Sequence, residues 1–168
     1  DGRVSIEFCE YRNTKGTYDN IVSIEMIEAV GERYWPSYFA MLKARLARDG
    51  RAVVQAITVP DGYFDIYRSS SDFIRQYTFP GGMLLSDAVI ADEARRAGLQ
   101  VKGSFAFGQD YAQTLRHWSS RMDANVKRIK QIGYSDEHLR SWQFYLQICA
   151  ASFGVKQTDV VQVELAHA

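Results

Sequence analysis

The sequence predicts an α/β domain built on a mostly parallel sheet. Two nearly continuous apolar segments, residues 18–26 and 51–59, are typical of strands that are buried on both faces. A helical pattern lies between them, and a strand–helix–strand order with such strands indicates a parallel sheet covered by helices. The 168 residues are enough for one domain with a sizeable core.

The first strands are predicted from alternation and from apolar continuity. Val4, Ile6 and Phe8 alternate with polar residues, which predicts a short strand before the one at residues 18–26. Two carboxylates, Glu25 and Glu28, stand where the second apolar run gives out.

An amphipathic helix is predicted after the second strand. Its apolar positions fall on one helical face; they are Trp35, Phe39, Leu42 and Leu46. Asp49 and Gly50 are predicted to end this helix, because glycine readily adopts the left-handed conformation that follows a helix. The third strand, residues 51–59, comes next.

A long aromatic segment separates the third strand from the next helix. Residues 61–85 are too many for a plain connection in a compact domain, so they are predicted to form a lid or a pocket wall. Ser86 is then suited to cap a helix that runs to Arg96 and is closed by Gly98.

The last part of the chain is predicted to hold a strand, two long helices and a final strand. The first strand presents Leu99, Val101, Phe105 and Phe107 on one face. The helices carry two apolar stripes that are interpreted as core: Leu115, Trp118, Met122, Val126 and Ile129, then Leu139, Trp142, Leu146, Cys149 and Phe153. The final strand presents Val161, Val163 and Leu165 on one face.

Composition argues against several classes of function. Twenty basic and twenty acidic residues cancel without clustering in a tail, which argues against nucleic acid as the main partner but allows contact with a membrane surface. Cys9 and Cys149 lack metal-type spacing, so no metal site is expected and a reducing, cytoplasmic environment is favoured. No apolar stretch reaches the roughly 18 residues of a bilayer-spanning helix.

Four stretches carry a family resemblance: "YDNIVSIEMIEAVG", "GRAVVQAITV", "FIRQYTFPGGMLLS" and "FGQDYAQTLRHW". In this order they resemble the cyclopropane-fatty-acyl-phospholipid synthases and mycolic acid cyclopropane synthases, which are S-adenosylmethionine-dependent methyltransferases. The resemblance covers nearly the whole chain. It implies a doubly wound, Rossmann-like methyltransferase sheet whose last strand is antiparallel.

One expected motif of such enzymes does not occur. The family binds its cofactor on a Gly-rich turn after the first strand, and no G-x-G-x-G lies in residues 1–168. The resemblance therefore implies that the chain begins near the family's third strand and lacks the first two strands, which belong between Val4 and Ile21. The whole chain is interpreted as one partial methyltransferase domain, inactive by itself, with residues 61–85 and 108–134 as insertions that line the acyl-chain pocket.

The resemblance also implies a reaction. In the family, a methyl group passes from S-adenosylmethionine to the cis double bond of a phospholipid acyl chain, and the resulting carbocation loses a proton to bicarbonate as the cyclopropane closes. Two alternatives stay open at this point: a fatty-acyl C-methyltransferase that forms no ring, and a non-catalytic acyl-binding or interaction module. The expected partner is an unsaturated phospholipid acyl chain, with peripheral contact at the inner membrane surface; homo-oligomerisation is left open.

Site residues are carried over position by position. Glu28 matches the family glutamate that accepts a hydrogen bond from bicarbonate, Tyr111 matches a tyrosine that contacts the same anion, and Ile57 supplies a backbone amide. Gln55 is a departure, because the family commonly has histidine there, and glutamine can donate a hydrogen bond but cannot carry a proton. Glu25 matches no family position and is interpreted as a structural acid.

Two further sets of residues are predicted to bind the cofactor or the acyl chain. Each set also has a purely structural explanation. Glu10 and Tyr11 fall where related enzymes contact the adenine of the cofactor, although an exposed loop with a half-buried tyrosine explains them as well. Five aromatic residues either wall an acyl tunnel or pack in the core: Tyr63, Phe64, Tyr67, Phe73 and Phe79.

Overall fold

A four-stranded mixed sheet organises the chain. In the computed structural model, which describes residues 2–168, the strands are β1 (Tyr18–Ile24), β2 (Leu46–Thr58), β3 (Leu99–Ala106) and β4 (Asp159–His167). The strand order is β1-β2-β4-β3, β1 and β2 are parallel, and β4 is antiparallel to both of its neighbours. The predicted α/β class, with an antiparallel last strand, is confirmed.

Helices connect and cover the strands. The α-helices are α1 (Ile27–Val30), α2 (Trp35–Arg45), α3 (Phe64–Ser69), α4 (Asp87–Arg96), α5 (Gly108–Ala124), α6 (Val126–Gln131) and α7 (Asp136–Gly154). Three single 3₁₀ turns lie at Tyr11–Asn13, Glu32–Tyr34 and Asp61–Tyr63, and a short π-helix spans Ile74–Thr78.

The main core lies between one face of the sheet and α2 with α4. Along β2 the residues Ala52, Val54 and Ala56 are fully buried. The predicted inward face of β4 is also confirmed, because Val161, Val163 and Leu165 are all buried. The opposite face of β2 is only half-buried, so the prediction that β2 is buried on both faces is confirmed in part. On this face Ile57 packs against a second apolar cluster from α5 and α7, whereas polar groups surround Gln55.

The prediction that β1 is buried on both faces is wrong. Val22 is 66% exposed and Ile24 is 55% exposed. The reason is the position of the strand, because β1 pairs with β2 alone and stands at an edge of the described sheet. Residues 4–8 form no strand, since no neighbouring strand accepts their backbone hydrogen bonds.

The other edge strand also differs from its prediction. Of the residues in β3, only Leu99 is buried, whereas Phe105 is 63% exposed. The strand β3 pairs only with β4 and has little cover on its faces. Its apolar residues therefore stay exposed, although they alternate as predicted.

Local sequence signals predicted the ends of one helix correctly and the end of another wrongly. Around α4 the prediction is confirmed, because the Ser86 hydroxyl accepts a hydrogen bond from the Val89 amide, and Gly98 has a φ of +79°. The predicted end of α2 at Asp49 and Gly50 is wrong, since α2 ends at Arg45 and β2 begins at the next residue.

The C-terminal helices pack on each other through part of their predicted stripes. Leu115, Leu146 and Phe153 are buried, as predicted. Trp118 is 49% exposed, and the first helix is interrupted at Asn125, so α6 is a separate short helix. Within residues 2–168 we find no helix with the length and apolar character needed to cross a bilayer.

Gly50 serves the sheet through its lack of a side chain. A Cβ atom there would lie 2.6 Å from the Asp19 carbonyl oxygen and 3.0 Å from the Ala47 carbonyl oxygen, so only glycine lets β1 approach β2 at this point. We expect Gly50→Ala to lower the free energy of unfolding by ~1–3 kcal/mol, as in overpacked sites. Urea denaturation of the protein measures this change.

Gly103 on β3 provides the matched control. A Cβ atom at Gly103 would meet no heavy atom within 4 Å. Gly103→Ala should therefore change the free energy of unfolding by less than ~0.5 kcal/mol. Equal losses in the two variants would contradict the close approach of β1 and β2 at Gly50.

Candidate active site at the ends of beta1 and beta2

The chain turns sharply where β1 ends. The Glu25 amide donates to the Gln55 carbonyl oxygen at 2.9 Å, which extends the parallel pairing of β1 and β2 by one residue. Glu25 itself has a φ of +47°, in the left-handed region that residues other than glycine seldom adopt. The turn brings the residues after β1 to the carboxyl end of the sheet, where open α/β sheets bind their ligands.

The Glu25 carboxylate is the centre of a hydrogen-bond network. The Tyr111 hydroxyl donates to it, at 2.7 Å from Oε1 and 2.9 Å from Oε2. Gln55 Nε2 donates to Oε1 at 2.8 Å, and the Oε1 atom of Gln55 accepts from Gln162 Nε2 at 2.9 Å. This network ties the end of β1 to β2, β4 and α5.

A second carboxylate, Glu28 in the first turn of α1, lies beside this network. Its Oε1 atom accepts a hydrogen bond from the Ile57 amide at 2.6 Å, and its Oε2 atom is buried without a hydrogen-bond partner among the described residues. Burial raises the pKa of Glu28 to about 6; the negative charge of Glu25 adds to this, whereas the Ile57 amide opposes it. Glu28 can thus gain or lose a proton near neutral pH.

Aromatic packing holds Tyr111 in place. Its ring meets Phe153 edge-on with a centroid distance of 5.2 Å and lies 6.4 Å from Phe107. Burial raises the pKa of the Tyr111 phenol, and the hydrogen bond and the negative charge of Glu25 raise it further. The phenol is therefore a hydrogen-bond donor over the physiological pH range.

Three residues predicted for the catalytic site lie at or just beyond the ends of β1 and β2, and Tyr111 reaches them from α5, but their arrangement differs from the expectation. Glu28 and Ile57 contact each other, and Gln55 and Tyr111 meet through Glu25. Glu25, which was interpreted from the sequence as a structural acid, is the residue that joins them. Its place after a strand was a signal, but its left-handed backbone and its contact with a distant helix are not visible in the sequence.

The donors expected to hold a bicarbonate ion are engaged by the chain itself. Tyr111 and Gln55 donate to Glu25, and the Ile57 amide donates to Glu28. A small anion needs free donors and would be repelled by both carboxylates. The residues as arranged do not fit bicarbonate.

The residues assigned to the cofactor lie beside an open groove. A cavity of about 530 Å³ runs between the 3₁₀ turn at Tyr11, β1 and α2, and Tyr11 and Tyr38 both line it with their rings 6.0 Å apart. The Glu10 carboxylate pairs with Arg12 Nε at 2.9 Å and is otherwise exposed. The Tyr11 ring at the wall of this groove fits one side of an adenosine group, whereas Glu10 does not line the groove.

Only part of the predicted aromatic wall contacts the helix α7. Phe73 stacks edge-on against Phe144 at 4.7 Å, and Phe79 against Tyr145 at 5.7 Å, so the segment before α4 contacts α7. Burial raises the pKa of Tyr145, and Cys149 and then Glu25 add to it. The other predicted members pack on the main core: Tyr63, Phe64 and Tyr67.

Fold and site together define a methyltransferase-type α/β domain, with acidic and aromatic groups at the carboxyl ends of its parallel strands. The family model described as mycolic acid cyclopropane synthetase matches residues 1–163. The chain belongs to this family, as the four sequence stretches predicted.

Individual relatives agree with this assignment. The chain is 38% identical over 161 residues to tuberculostearic acid methyltransferase UfaA1 of Mycobacterium tuberculosis, which covers 95% of this chain and 38% of that protein. It is 29% identical over 160 residues to cyclopropane-fatty-acyl-phospholipid synthase of Escherichia coli, covering 95% of this chain and 40% of that protein. The chain thus spans about two fifths of the length of these relatives.

A solved structure shows the same fold. The crystal structure of mycolic acid cyclopropane synthase CmaA1 complexed with SAH and CTAB matches with a TM-score of 0.83 and 26% identity. The match covers 92% of this chain and 57% of that chain.

The raised pKa of Glu28 predicts a pH dependence of stability. The folded state binds a proton to Glu28 more tightly than the unfolded state, whose pKa is near 4.5, so the free energy of unfolding falls as pH rises from 4.5 to about 6. We expect Glu28→Gln to remove this loss, so that the variant gains about 2 kcal/mol relative to wild type between about pH 4 and about pH 7.

Urea denaturation at both pH values measures the difference. Glu137→Gln, at an exposed position in α7, controls for the loss of one carboxylate. An unchanged difference between Glu28→Gln and wild type across this pH range would contradict the burial of an ionisable Glu28.

Proposed function

We propose that the protein, in its full natural length, transfers a methyl group from S-adenosylmethionine to the double bond of an unsaturated lipid acyl chain. The observation that carries this proposal is the pair of carboxylates held at the ends of β1 and β2, where Glu28 accepts from the Ile57 amide and Glu25 accepts from Tyr111, whose ring packs on α7. Family membership supports it, and so does the CmaA1 structure with SAH and CTAB.

The residues of this chain have separable tasks in that reaction. When bound, S-adenosylmethionine supplies an electrophilic methyl group, and Glu10 and Tyr11 would hold its adenosine part. The alkene π electrons would form the new C–C bond to the methyl carbon, the electron pair of the broken sulfur–carbon bond would stay with S-adenosylhomocysteine, and a positive charge would be left on the other alkene carbon. Glu25 and Glu28 stabilise that charge, and the buried ring of Phe153, which packs on Tyr111, helps to exclude water from it.

The family name suggests that the product is a cyclopropane. The new methyl group loses a proton, and the electron pair of that C–H bond closes the cyclopropane. Residues 61–85 and 108–134 would line the pocket that holds the chain in place for this step.

A second candidate is methylation without a ring. Here a hydride shifts from the methylated carbon to its cationic neighbour, and the methyl group then loses a proton to leave a methylene branch. Two observations favour it: Gln55 cannot carry a proton or a positive charge, and the 38% identical relative is named a tuberculostearic acid methyltransferase.

The test is a product assay with the natural full-length protein. It uses S-adenosylmethionine with a deuterated methyl group and a phospholipid with oleoyl chains, followed by mass spectrometry of the lipids. Mild hydrogenation adds two hydrogens to a methylene branch and none to a cyclopropane, which separates the two products. The 168-residue chain alone is expected to be inactive, and a full-length protein that binds SAH but methylates no lipid would favour the non-catalytic alternative.

Tyr111→Phe should weaken the reaction. The variant keeps the ring and its contacts with Phe153 but loses the hydroxyl that donates to Glu25. Hydrogen bonds to charged groups contribute about 1.5–3 kcal/mol, so kcat/KM should fall roughly 10- to 100-fold. Tyr134→Phe, at an exposed tyrosine outside the network, is the matched control, and equal activity of both variants would count against a role for Tyr111.

Contact with the membrane surface is the remaining part of the proposal. The substrate chain is part of a lipid, and the short helix α6 presents the exposed cations Lys127 and Arg128. Trp118 and Trp142, on the helices that flank α6, are also partly exposed. Basic and aromatic side chains are the groups that anchor a cytoplasmic protein at an anionic leaflet.

Vesicle binding checks this contact. With vesicles containing anionic phospholipid, Lys127→Glu with Arg128→Glu should reduce binding about tenfold or more, because each cation near the surface contributes about 1 kcal/mol. Binding should also weaken with salt. A control that reverses two other exposed lysines, Lys15 and Lys102, should bind like wild type; equal loss in both pairs would show that only net charge matters.

A further inference from the structure

The geometry points to Glu25 as a built-in proton acceptor: its carboxylate fills the place of a free anion and takes the proton that the substrate carbocation loses. This inference rests on the proposed function and concerns the same site. It predicts an enzyme whose activity is independent of dissolved bicarbonate.

The backbone of Glu25 is the first observation. A φ of +47° is unfavourable for a residue with a side chain, and strain of this kind concentrates at functional sites. One other non-glycine residue among residues 2–168 has a positive φ, Lys156, and it lies in an exposed turn after α7. Glycine could adopt this conformation at position 25 without strain. The presence of glutamate there indicates that its carboxylate has a use that offsets the strain.

The donors around Glu25 are the second observation. Two neutral donors from separate elements, Tyr111 and Gln55, converge on this one carboxylate at 2.7–2.9 Å. Gln162 fixes the orientation of the Gln55 amide, so that its nitrogen faces Glu25. Such a set of fixed neutral donors is an anion-binding site, and here the anion is covalently part of the chain.

The neighbouring carboxylate places a second negative charge beside Glu25. Burial is the main cause of the raised pKa of Glu28, and the negative charge of Glu25 adds to it. When the carbocation loses its proton, the C–H electron pair forms the new C–C or C=C bond, and the proton moves to a Glu25 oxygen. That transfer removes one of two adjacent negative charges, and the proton passes to solvent after the product leaves.

The decisive experiment compares two variants in buffer freed of carbon dioxide. The natural full-length protein, S-adenosylmethionine and an oleoyl phospholipid are assayed with and without added bicarbonate or formate. Wild type should be equally active in all three conditions. Glu25→Gly should lose about 100-fold or more in kcat without added anion, which is the usual contribution of a general base. Bicarbonate or formate should restore much of this activity, because the Tyr111 hydroxyl and Gln55 Nε2 become free to hold the anion.

Glu25→Gln is the companion variant. Its amide keeps the volume of the side chain, so it should lose activity to a similar degree and gain nothing from added anions. It also tests the inference if Glu25→Gly folds poorly, which circular dichroism reveals.

Two results would overturn the inference while leaving the proposed function intact. One is a wild type that methylates lipid only with bicarbonate, and the other is a Glu25→Gln variant that retains full activity without any added anion, as a purely structural Glu25 would allow. A wild type that methylates no lipid under any condition would overturn both proposals.

Discussion

The parallel pairing of β1 with β2 is the constraint on which the site depends. It sets Ile24 opposite Gln55 and continues through the hydrogen bond from the Glu25 amide to the Gln55 carbonyl oxygen. Because the register of a parallel pair fixes which residues end together, this pairing and the turn that follows it bring Glu25 beside the side chain of Gln55 and Glu28 beside the amide of Ile57. Gly50 permits the approach of the two strands near the other end of the same pair.

The electrostatic design of the site follows from what surrounds its two carboxylates. The groups that bond to them are a phenol, an amide side chain and a backbone amide, and none of these is a cation. A salt bridge would neutralise the carboxylates and leave nothing to attract a positive centre, whereas neutral donors hold them in place with their charge intact. This arrangement suits a reaction in which positive charge develops on an otherwise apolar chain.

Local patterns predicted the parts of the fold that local interactions determine. The cap at Ser86, the buried face of β4 and the strand–helix–strand order all follow from short-range spacing. Burial could not be predicted at the sheet edges, because the apolar alternation of residues 4–8 and the apolar run of β1 require neighbouring strands that a pattern does not reveal. The end of α2 was misplaced because Gly50 has a second use, which is to make room for another strand.

The candidate site was predictable to a similar extent. Resemblance identified Glu28, Tyr111, Gln55 and Ile57 as residues of interest; Gln55, Ile57 and Glu28 lie at or just beyond the ends of β1 and β2, and Tyr111 reaches the same place from α5. It did not identify their partner, because the contact between Glu25 and Tyr111 joins residues 86 positions apart and depends on a left-handed turn. Such a turn is a property of the folded backbone, and a glutamate in the sequence does not predict it.

The orientation of the Gln55 amide has a consequence for how this site can evolve. Its oxygen is taken by Gln162 and its nitrogen therefore points to Glu25, so a residue on β4 decides which end of the amide the acid meets. A mutation at position 162 that reversed this polarity would set an oxygen against the acid and remove one of the three hydrogen bonds that hold its carboxylate. Selection could thereby change the arrangement at the ends of β1 and β2 through a residue on β4.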